Sequence, residues 1–364
     1  MTADTVGGVW TYALDLSRGL STRGVETVLA ILGPGPGADQ LARAASIPGL
    51  TLLPTGLPLD WLAADAAETM KAGAVIAALA RETGAELVHL NSPALAAGNT
   101  FPVPLVGACH SCLATWWDAV RGGPLPPDFA WRTELLRRGY AACDALAAPS
   151  RAFADATARA YDLPLPPAAV HNGRDPLPRV DNPPADLLTD FALTAGRLWD
   201  TGKNMATLDR AAARLGLPVL AAGPVEGPEG SRVALKHAHA VGRLDEAALA
   251  ALLQAAPIYV SPAYYEPFGL AVLEAAQFGC ALVLSDIPSF RELWDGAALF
   301  VAAGDDAGLA DAIARLETDR EERARQGALA RARARRYTVD AMADAMLDLY
   351  RPLLRGIRPE TVAA

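Results

Sequence analysis

The chemistry of this chain is concentrated around two glutamates eight positions apart, Glu266 and Glu274, within Glu266-Pro267-Phe268-Gly269-Leu270-Ala271-Val272-Leu273-Glu274. Glu266 falls in a loop after an apolar run that ends near Ser261. Pro267 suits the entry to a helix, and Gly269 allows a close backbone approach. The first turn of that helix leaves backbone N–H groups unused at the positive end of its dipole, which makes an anion site. Glu274 lies between Val272-Leu273 and Ala275-Ala276, where a carboxylate is costly unless it is hydrogen-bonded. Sugar hydroxyls are suitable donors; a structural ion pair is the competing reading. Upstream, Gly196-Arg197-Leu198 follows another apolar run, and Lys203-Asn204 opens the next helix. Two cations so placed suit the clamping of a diphosphate and the stabilisation of its charge as it leaves. Alone, an Arg and a Lys in a loop mean little.

These residues need strands and helices to bring them together. Short β-branched or Leu-rich runs (Glu26–Leu32, Leu50–Leu53, Glu86–Leu90, Leu105–Cys109, Ala145–Ala148, Ala168–His171) alternate with Ala-rich amphipathic stretches near 63–83, 128–141 and 151–161. Such alternation predicts βαβ crossovers and a parallel sheet covered on both faces. Asp175 to Ala185 holds four prolines in eleven residues and reads as a linker over 175–188. The pattern then restarts, with strands at Phe191–Ala195, Pro218–Ala222, Ala238–Val241, Ile258–Ser261, Ala281–Leu284 and Ala298–Val301. Helices are expected at 203–215, 246–255, 268–279 and 306–317, and from 319 to 356 throughout. At 364 residues the chain exceeds the usual single core. The expected organisation is α/β, with Rossmann-like parallel-sheet domains at 1–178 and 186–338, a ligand in the crevice at their carboxyl edges, and a C-terminal helical segment at 339–364.

Composition excludes several functions. A net charge of −9 opposes a nucleic-acid binder, whose affinity rests on a cationic footprint. Four cysteines are too few for a disulfide scaffold, so a cytoplasmic location is expected. Cys109-His110-Ser111-Cys112 has no second pair to complete a zinc site. The first residues lack a basic n-region, and no apolar run reaches the length of a membrane span. Arg331, Arg333, Arg335 and Arg336 read as a solvated helix face, with peripheral contact to an anionic lipid surface as the lesser reading.

Arg197 and Lys203 followed by the Glu266/Glu274 pair resemble the retaining glycosyltransferases of family 4, which have the GT-B fold. The resemblance runs in order through Gly7-Gly8-Val9, His110, Pro149-Ser150, His171-Asn172-Gly173, Gly196-Arg197, Lys203-Asn204, Gly242-Arg243 and Glu266 to Leu270. It implies that Arg197 and Lys203 hold a donor diphosphate and that Glu274 binds ribose hydroxyls. Glu266, with backbone N–H groups of Phe268, Gly269 and Leu270, would contact the hexose and phosphate. Val241, Gly242, Arg243 and Leu244 would lie against the base. Gly7 and Gly8 would let the first helix approach the reacting phosphate or the acceptor, and His110 would face the donor sugar near the reacting carbon. The family's Pro-Asn-Gly reads His171-Asn172-Gly173 here, and His171 is taken as structural.

The resemblance thus implies a hexosyltransferase acting with retention on a nucleotide-diphosphate sugar, with UDP or GDP expected, no other cofactor, and a setting such as polysaccharide biosynthesis. The acceptor (a sugar, a lipid-linked or a small molecule) and the oligomeric state stay open. Trp116-Trp117 could stack on an acceptor, although core packing of at least one is the safer reading. No Asp-x-Asp occurs, so metal-independent activity is expected, with the cations in the metal's place. The alternatives are a non-catalytic GT-B partner in polysaccharide assembly and a sugar-nucleotide epimerase. In the family a whole central strand precedes the Gly-Gly turn; here only Met1–Asp4 do, and a start several residues upstream is expected.

Overall fold

The computed structural model describes residues 1–181, 190–227, 230–255 and 258–356. From the start the chain forms β1 (Thr2–Asp4), α1 (Gly8–Ser21), β2 (Thr27–Leu32), α2 (Ala38–Ala45), β3 (Leu50–Pro54), α3 (Ala66–Glu82) and β4 (Val88–Leu90). It continues through β5 (Leu105–Ala108), α4 (Leu113–Val120), α5 (Ala130–Ala142), β6 (Ala145–Ala148), α6 (Arg151–Tyr161) and β7 (Ala168–Ala169). The second series is β8 (Ala192–Ala195), α7 (Met205–Ala212), β9 (Val219–Ala222), β10 (His239–Gly242), α8 (Glu246–Ala255), β11 (Ile258–Ser261) and α9 (Leu270–Phe278). It ends with β12 (Ala281–Ser285), α10 (Pro288–Trp294), β13 (Leu299–Val301), α11 (Asp306–Thr318), α12 (Arg320–Ala334) and α13 (Val339–Leu354).

The chain divides into two compact units: Met1–Gly173 together with the stretch that begins at Thr338, and Arg174–Tyr337. In the second unit all strands are parallel, in the order β10-β9-β8-β11-β12-β13. Strands β8, β9, β11 and β12 are buried nearly throughout because apolar clusters cover both faces. One cluster centres on Phe191, Tyr259, Phe290 and Trp294, the other on Leu208, Val260, Val283 and Ile313.

The first unit has the same logic with an interruption. Its parallel strands form two ladders, β1-β2-β3 and β4-β5-β6-β7. Three residues of β1 pair with β2. On the β4 side, Asn91 takes over: its backbone N–H donates to Thr2 Oγ1 at 3.0 Å and its side-chain amide to the Thr2 carbonyl at 2.7 Å. Helix α13 packs on α1 through Met342, Met346, Tyr350 and Leu353 against Tyr12, Leu16 and Leu20. Gly173 lets it begin there, since a Cβ at that position would stand 1.9 Å from the Thr338 carbonyl oxygen.

Three helices lie outside the expected set, α2, α4 and α10, and none exceeds eight residues. The expected helix over 319–356 is two. Helix α12 ends at Ala334, and Thr338 starts α13 by accepting from Ala341 N–H at 3.1 Å. The linker reading over 175–188 lies outside the described residues from 182 onward, as does the 339–364 segment beyond 356. No helix among the described residues is long and apolar enough to cross a membrane.

Gly173→Ala must displace the backbone at Thr338, so the denaturant midpoint should fall by the equivalent of about 1–3 kcal/mol. Gly216→Ala, whose Cβ meets nothing within 4 Å, should stay within about 0.5 kcal/mol of the parent. Equal stability of the two variants would contradict this account of how α13 docks.

Candidate functional site

In the second unit the strand order turns at β8, which lies between β9 and β11 although β9 and β10 follow it in sequence. A doubly wound sheet opens its ligand crevice at such a point, beyond the carboxyl ends of the strands on either side. The Gly196-Arg197 corner leaves β8, and the Glu266–Leu270 segment leaves β11. Gly223, just past β9, must be glycine: its φ is +136° and a Cβ would stand 1.8 Å from the Gly196 carbonyl oxygen.

The two loops are tied together by their backbones. Tyr264 and Tyr265 N–H both donate to the Gly202 carbonyl, at 2.9 and 3.3 Å. Asn204, in the left-handed region at φ +54°, donates its amide to the Pro262 carbonyl at 2.9 Å. The Lys203 ammonium thereby reaches the Glu266 carboxylate and forms an ion pair. Arg197 is half exposed, pairs with Asp200 at 3.3 Å and lies over the Trp199 ring at 5.8 Å. Glu266 is held from behind by Ser289, whose hydroxyl donates to the Glu266 carbonyl at 2.5 Å. Helix α9 starts at Leu270 after Gly269, whose φ of +89° is the left-handed conformation glycine accepts, and no side chain caps it. The Phe268 ring is buried edge-on against Tyr337.

Glu274 is buried in α9, and its partner is a protein cation. The Arg174 guanidinium, equally buried, bonds Glu274 and also reaches Glu246 at 2.9 Å. Gln277 donates its amide to the Arg174 carbonyl at 2.7 Å, and the Arg174 N–H donates to the Tyr337 carbonyl at 3.1 Å. The ion-pair reading of Glu274 therefore describes its surroundings. Arg174 escapes a reading of the sequence because it follows the His171-Asn172-Gly173 motif without a pattern of its own. The available signal is the need of a buried carboxylate for a cation. Val241 and Gly242 at the end of β10 and Arg243 after it are exposed, while Leu244 is half-buried against the core. Asp209 fixes the approach to this segment by accepting from the N–H groups of Lys236, His237 and Ala238.

The first unit carries its own candidates at its own turning point, where Gly7-Gly8 leaves β1 and Asn91 leaves β4. Neither Gly7 nor Gly8 has a positive φ, so the turn does not demand glycine and what they provide is the absence of side chains. His110, two residues beyond β5, places Nε2 2.8 Å from Asn91 Oδ1 and meets the Tyr12 ring edge-on at 4.4 Å. His89 Nε2 lies 3.1 Å from the same oxygen, and His89 Nδ1 lies 2.6 Å from the Tyr350 hydroxyl. Burial lowers His110 to about 4 and His89 to about 3, so both imidazoles are neutral at pH 7. Cys109 and Cys112 are buried thiols outside any disulfide, and burial pushes their pKa up. Trp116 and Trp117 are each partly buried, Trp117 against Phe129 at 6.0 Å.

Two family models match the chain: Glycosyltransferase Family 4 over residues 6–176 and Glycosyl transferases group 1 over residues 231–333. The D-inositol 3-phosphate glycosyltransferase of Xylanimonas cellulosilytica is 28% identical over 94% of this chain and 91% of its own length. The phosphatidyl-myo-inositol mannosyltransferase of Mycobacterium leprae is 34% identical, but the match spans only 32% of either protein. Among solved structures, Anabaena Alr3699/HepE in complex with UDP-glucose superimposes with a TM-score of 0.73 at 19% identity, over 97% of this chain and all of that one.

Arg174→Leu leaves Glu274 buried without its cation and should cost about 3–5 kcal/mol of stability, read as a drop in the denaturant midpoint. An unchanged midpoint would contradict the assigned pairing. The histidines set a second expectation. In the unfolded chain they take up protons near pH 6.5, whereas in the folded chain they stay neutral well below that. Their contribution to stability is complete above pH 6.5 and is lost as the pH falls toward 4. The urea midpoint should therefore drop between pH 7 and pH 5; a flat profile would contradict the burial of neutral imidazoles.

Proposed function

Because the chain belongs to the family 4 glycosyltransferases and has their GT-B fold, we propose that it is a retaining hexosyltransferase. It transfers a hexosyl group from a nucleotide-diphosphate sugar to a sugar, lipid-linked or small-molecule acceptor, in the cytoplasm and without a metal ion. The observation that carries this reading is the Lys203–Glu266 pair between the β8 and β11 loops, beside the uncapped start of α9 and the half-exposed Arg197.

In this reading the diphosphate draws Lys203 and Arg197 onto its oxygens and takes the N–H groups of Phe268, Gly269 and Leu270 at the positive end of α9. Glu266, released toward the sugar, accepts from hexose hydroxyls. Glu274, held in place by Arg174, accepts from the ribose. The base lies along Val241 to Leu244, where exposed apolar surface is available. From the first unit, Gly7 and Gly8 give backbone access to the reacting phosphate or the acceptor, and His110 takes a hydroxyl of the hexosyl group.

The acceptor hydroxyl oxygen forms its bond to the anomeric carbon on the face from which the phosphate departs. The bond from that carbon to the phosphate oxygen breaks, and its electron pair goes to the phosphate. That oxygen takes the acceptor's proton. Charge grows on the leaving diphosphate, and the two cations stabilise it there, which is the work a divalent ion does in sites built on paired aspartates. UDP is the first nucleotide to try, as one structural neighbour is recorded with UDP-glucose, and inositol phosphates are the first acceptors, as one relative is named for that substrate.

Labelled UDP- and GDP-hexoses, offered with an inositol phosphate and with simple sugars, test the reading by product analysis. Transfer should proceed unchanged in EDTA. Lys203→Ala should lower it by about 10²-fold or more with the folded state retained, and Glu274→Gln by as much together with a lowered denaturant midpoint, because it strands the Arg174 charge. Near-normal turnover in both variants, or activity abolished by EDTA and restored by Mg²⁺ or Mn²⁺, would overturn it.

A further inference from the structure

The first unit contains a chain of hydrogen bonds to which no role has yet been given. It runs from Tyr350 on α13 through His89 on β4 and Asn91 just beyond it to His110 after β5. The orientation of the Asn91 amide can be worked out from its neighbours. The Thr2 carbonyl oxygen can only accept, so the group 2.7 Å from it is the NH₂ end. The opposite end, Oδ1, faces both imidazoles and can itself only accept. It has two lone pairs and two partners, His110 Nε2 at 2.8 Å and His89 Nε2 at 3.1 Å. Both histidines must therefore carry their proton on Nε2. His89 Nδ1 is then an acceptor, and the Tyr350 hydroxyl donates to it at 2.6 Å.

By the same logic Nδ1 of His110 carries a lone pair and no proton. Its ring is held by the Tyr12 edge as well as by Asn91. The titratable groups packed around the two imidazoles are Tyr12 from α1, Tyr350 from α13 and the Met1 amino group ahead of β1; the last acts on His89 and opposes its protonation. Among the described residues no carboxylate hydrogen-bonds to either ring.

We propose that Asn91, His89 and Tyr350 are positioning residues that lock His110 in its Nε2–H tautomer, so that Nδ1 offers a fixed, uncharged acceptor to a hydroxyl of the hexosyl group. The identity of that group rests on the function proposed above; the tautomer does not. The chemistry favours such an arrangement. Positive charge develops at the anomeric carbon as the bond to the phosphate lengthens, and an imidazolium beside it would repel that charge. A neutral ring that accepts one hydroxyl orients the sugar without this cost. A carboxylate at position 91 would orient His110 equally well but would draw a proton onto it, whereas an amide cannot.

Two measurements test this. In ligand-free protein with ¹⁵N-labelled histidine, the ring nitrogens of His89 and His110 should show the Nε2–H pattern at pH 7 and keep it at pH 6. A protonated Nδ1 on His110, or titration of its ring near the ordinary histidine value, overturns the lock whether or not the protein transfers sugar. The second compares the pH dependence of kcat in the parent and in Asn91→Asp. The variant's carboxylate stabilises the His110 imidazolium, so between pH 8 and pH 6 its kcat should fall about tenfold further than the parent's, with KM for the donor little changed. Asn91→Asp also loses its side-chain bond to the Thr2 carbonyl, so Tyr350→Phe supplies a second variant: it removes one hydroxyl, keeps the ring, leaves His89 Nδ1 without its donor and should lower kcat about threefold, while Asn91 keeps both histidines in the Nε2–H form. Superimposable pH profiles for folded Asn91→Asp and parent, or an unchanged kcat in Tyr350→Phe, overturn the proposal. Failure of the parent to transfer any sugar would count against the function, while the nitrogen spectra would still decide the tautomer.

Discussion

A carboxylate buried in an apolar helix must be met by a buried cation, and much of the second unit is arranged around that requirement. Glu274 sits among Val272, Leu273, Ala275 and Ala276, all fully or nearly fully buried. Arg174 answers it: its guanidinium also pairs with Glu246 on α8, while its backbone is held by Gln277 on α9, which donates to its carbonyl, and by the Tyr337 carbonyl after α12, which accepts from its N–H. Removing either partner strands the other charge at a cost of several kcal/mol, so the pair fixes the relative placement of three helices. The Lys203–Glu266 pair is more exposed and differently used. It holds a cation at the turning point of the sheet, and in the function we propose an incoming diphosphate competes with Glu266 for it. One ion pair is therefore architectural and, in that proposal, the other is exchangeable, although their carboxylates lie eight positions apart in the chain.

The first unit solves the same problem of holding polar groups by the opposite means. Its polar chain from Thr2 to Tyr350 is built from amide, imidazole and hydroxyl groups joined by hydrogen bonds. Burial keeps both imidazoles neutral, and their protons sit where Asn91 dictates. Asn91 has a structural duty as well, because its amide bridges the two ladders where β1 and β4 are not paired. A single residue thus joins the halves of the sheet and orients the histidine beyond β5.

The architecture is largely legible in the sequence because each strand is an apolar run long enough to be buried and each intervening helix carries a stripe. All twelve expected strands form, most within two residues of their predicted ends. Helices α2, α4 and α10 escape because segments of seven or eight residues complete only about two turns, too few to establish a period. The break before α13 is carried by one capping threonine in a run whose Arg and Ala favour helix. At the site, the Glu266/Glu274 spacing stands out, since glutamate in an apolar helix violates a local preference. Arg174, His89 and Asn91 do not, because each acts through partners distant in sequence: Arg174 lies 100 residues from Glu274, and His89 lies 261 from Tyr350. A histidine on a short strand and an arginine after a glycine look ordinary until the fold supplies their neighbours.

In the function we propose, a hexosyl group moves from a nucleotide diphosphate to an acceptor with its anomeric configuration kept. The most direct measurement follows the reaction of an α-linked nucleotide hexose by proton NMR and reads the anomeric coupling of the first-formed product. Retention gives an α-linked product that accumulates together with free nucleoside diphosphate. A β-linked product, or an epimerised donor with no transfer, would contradict it.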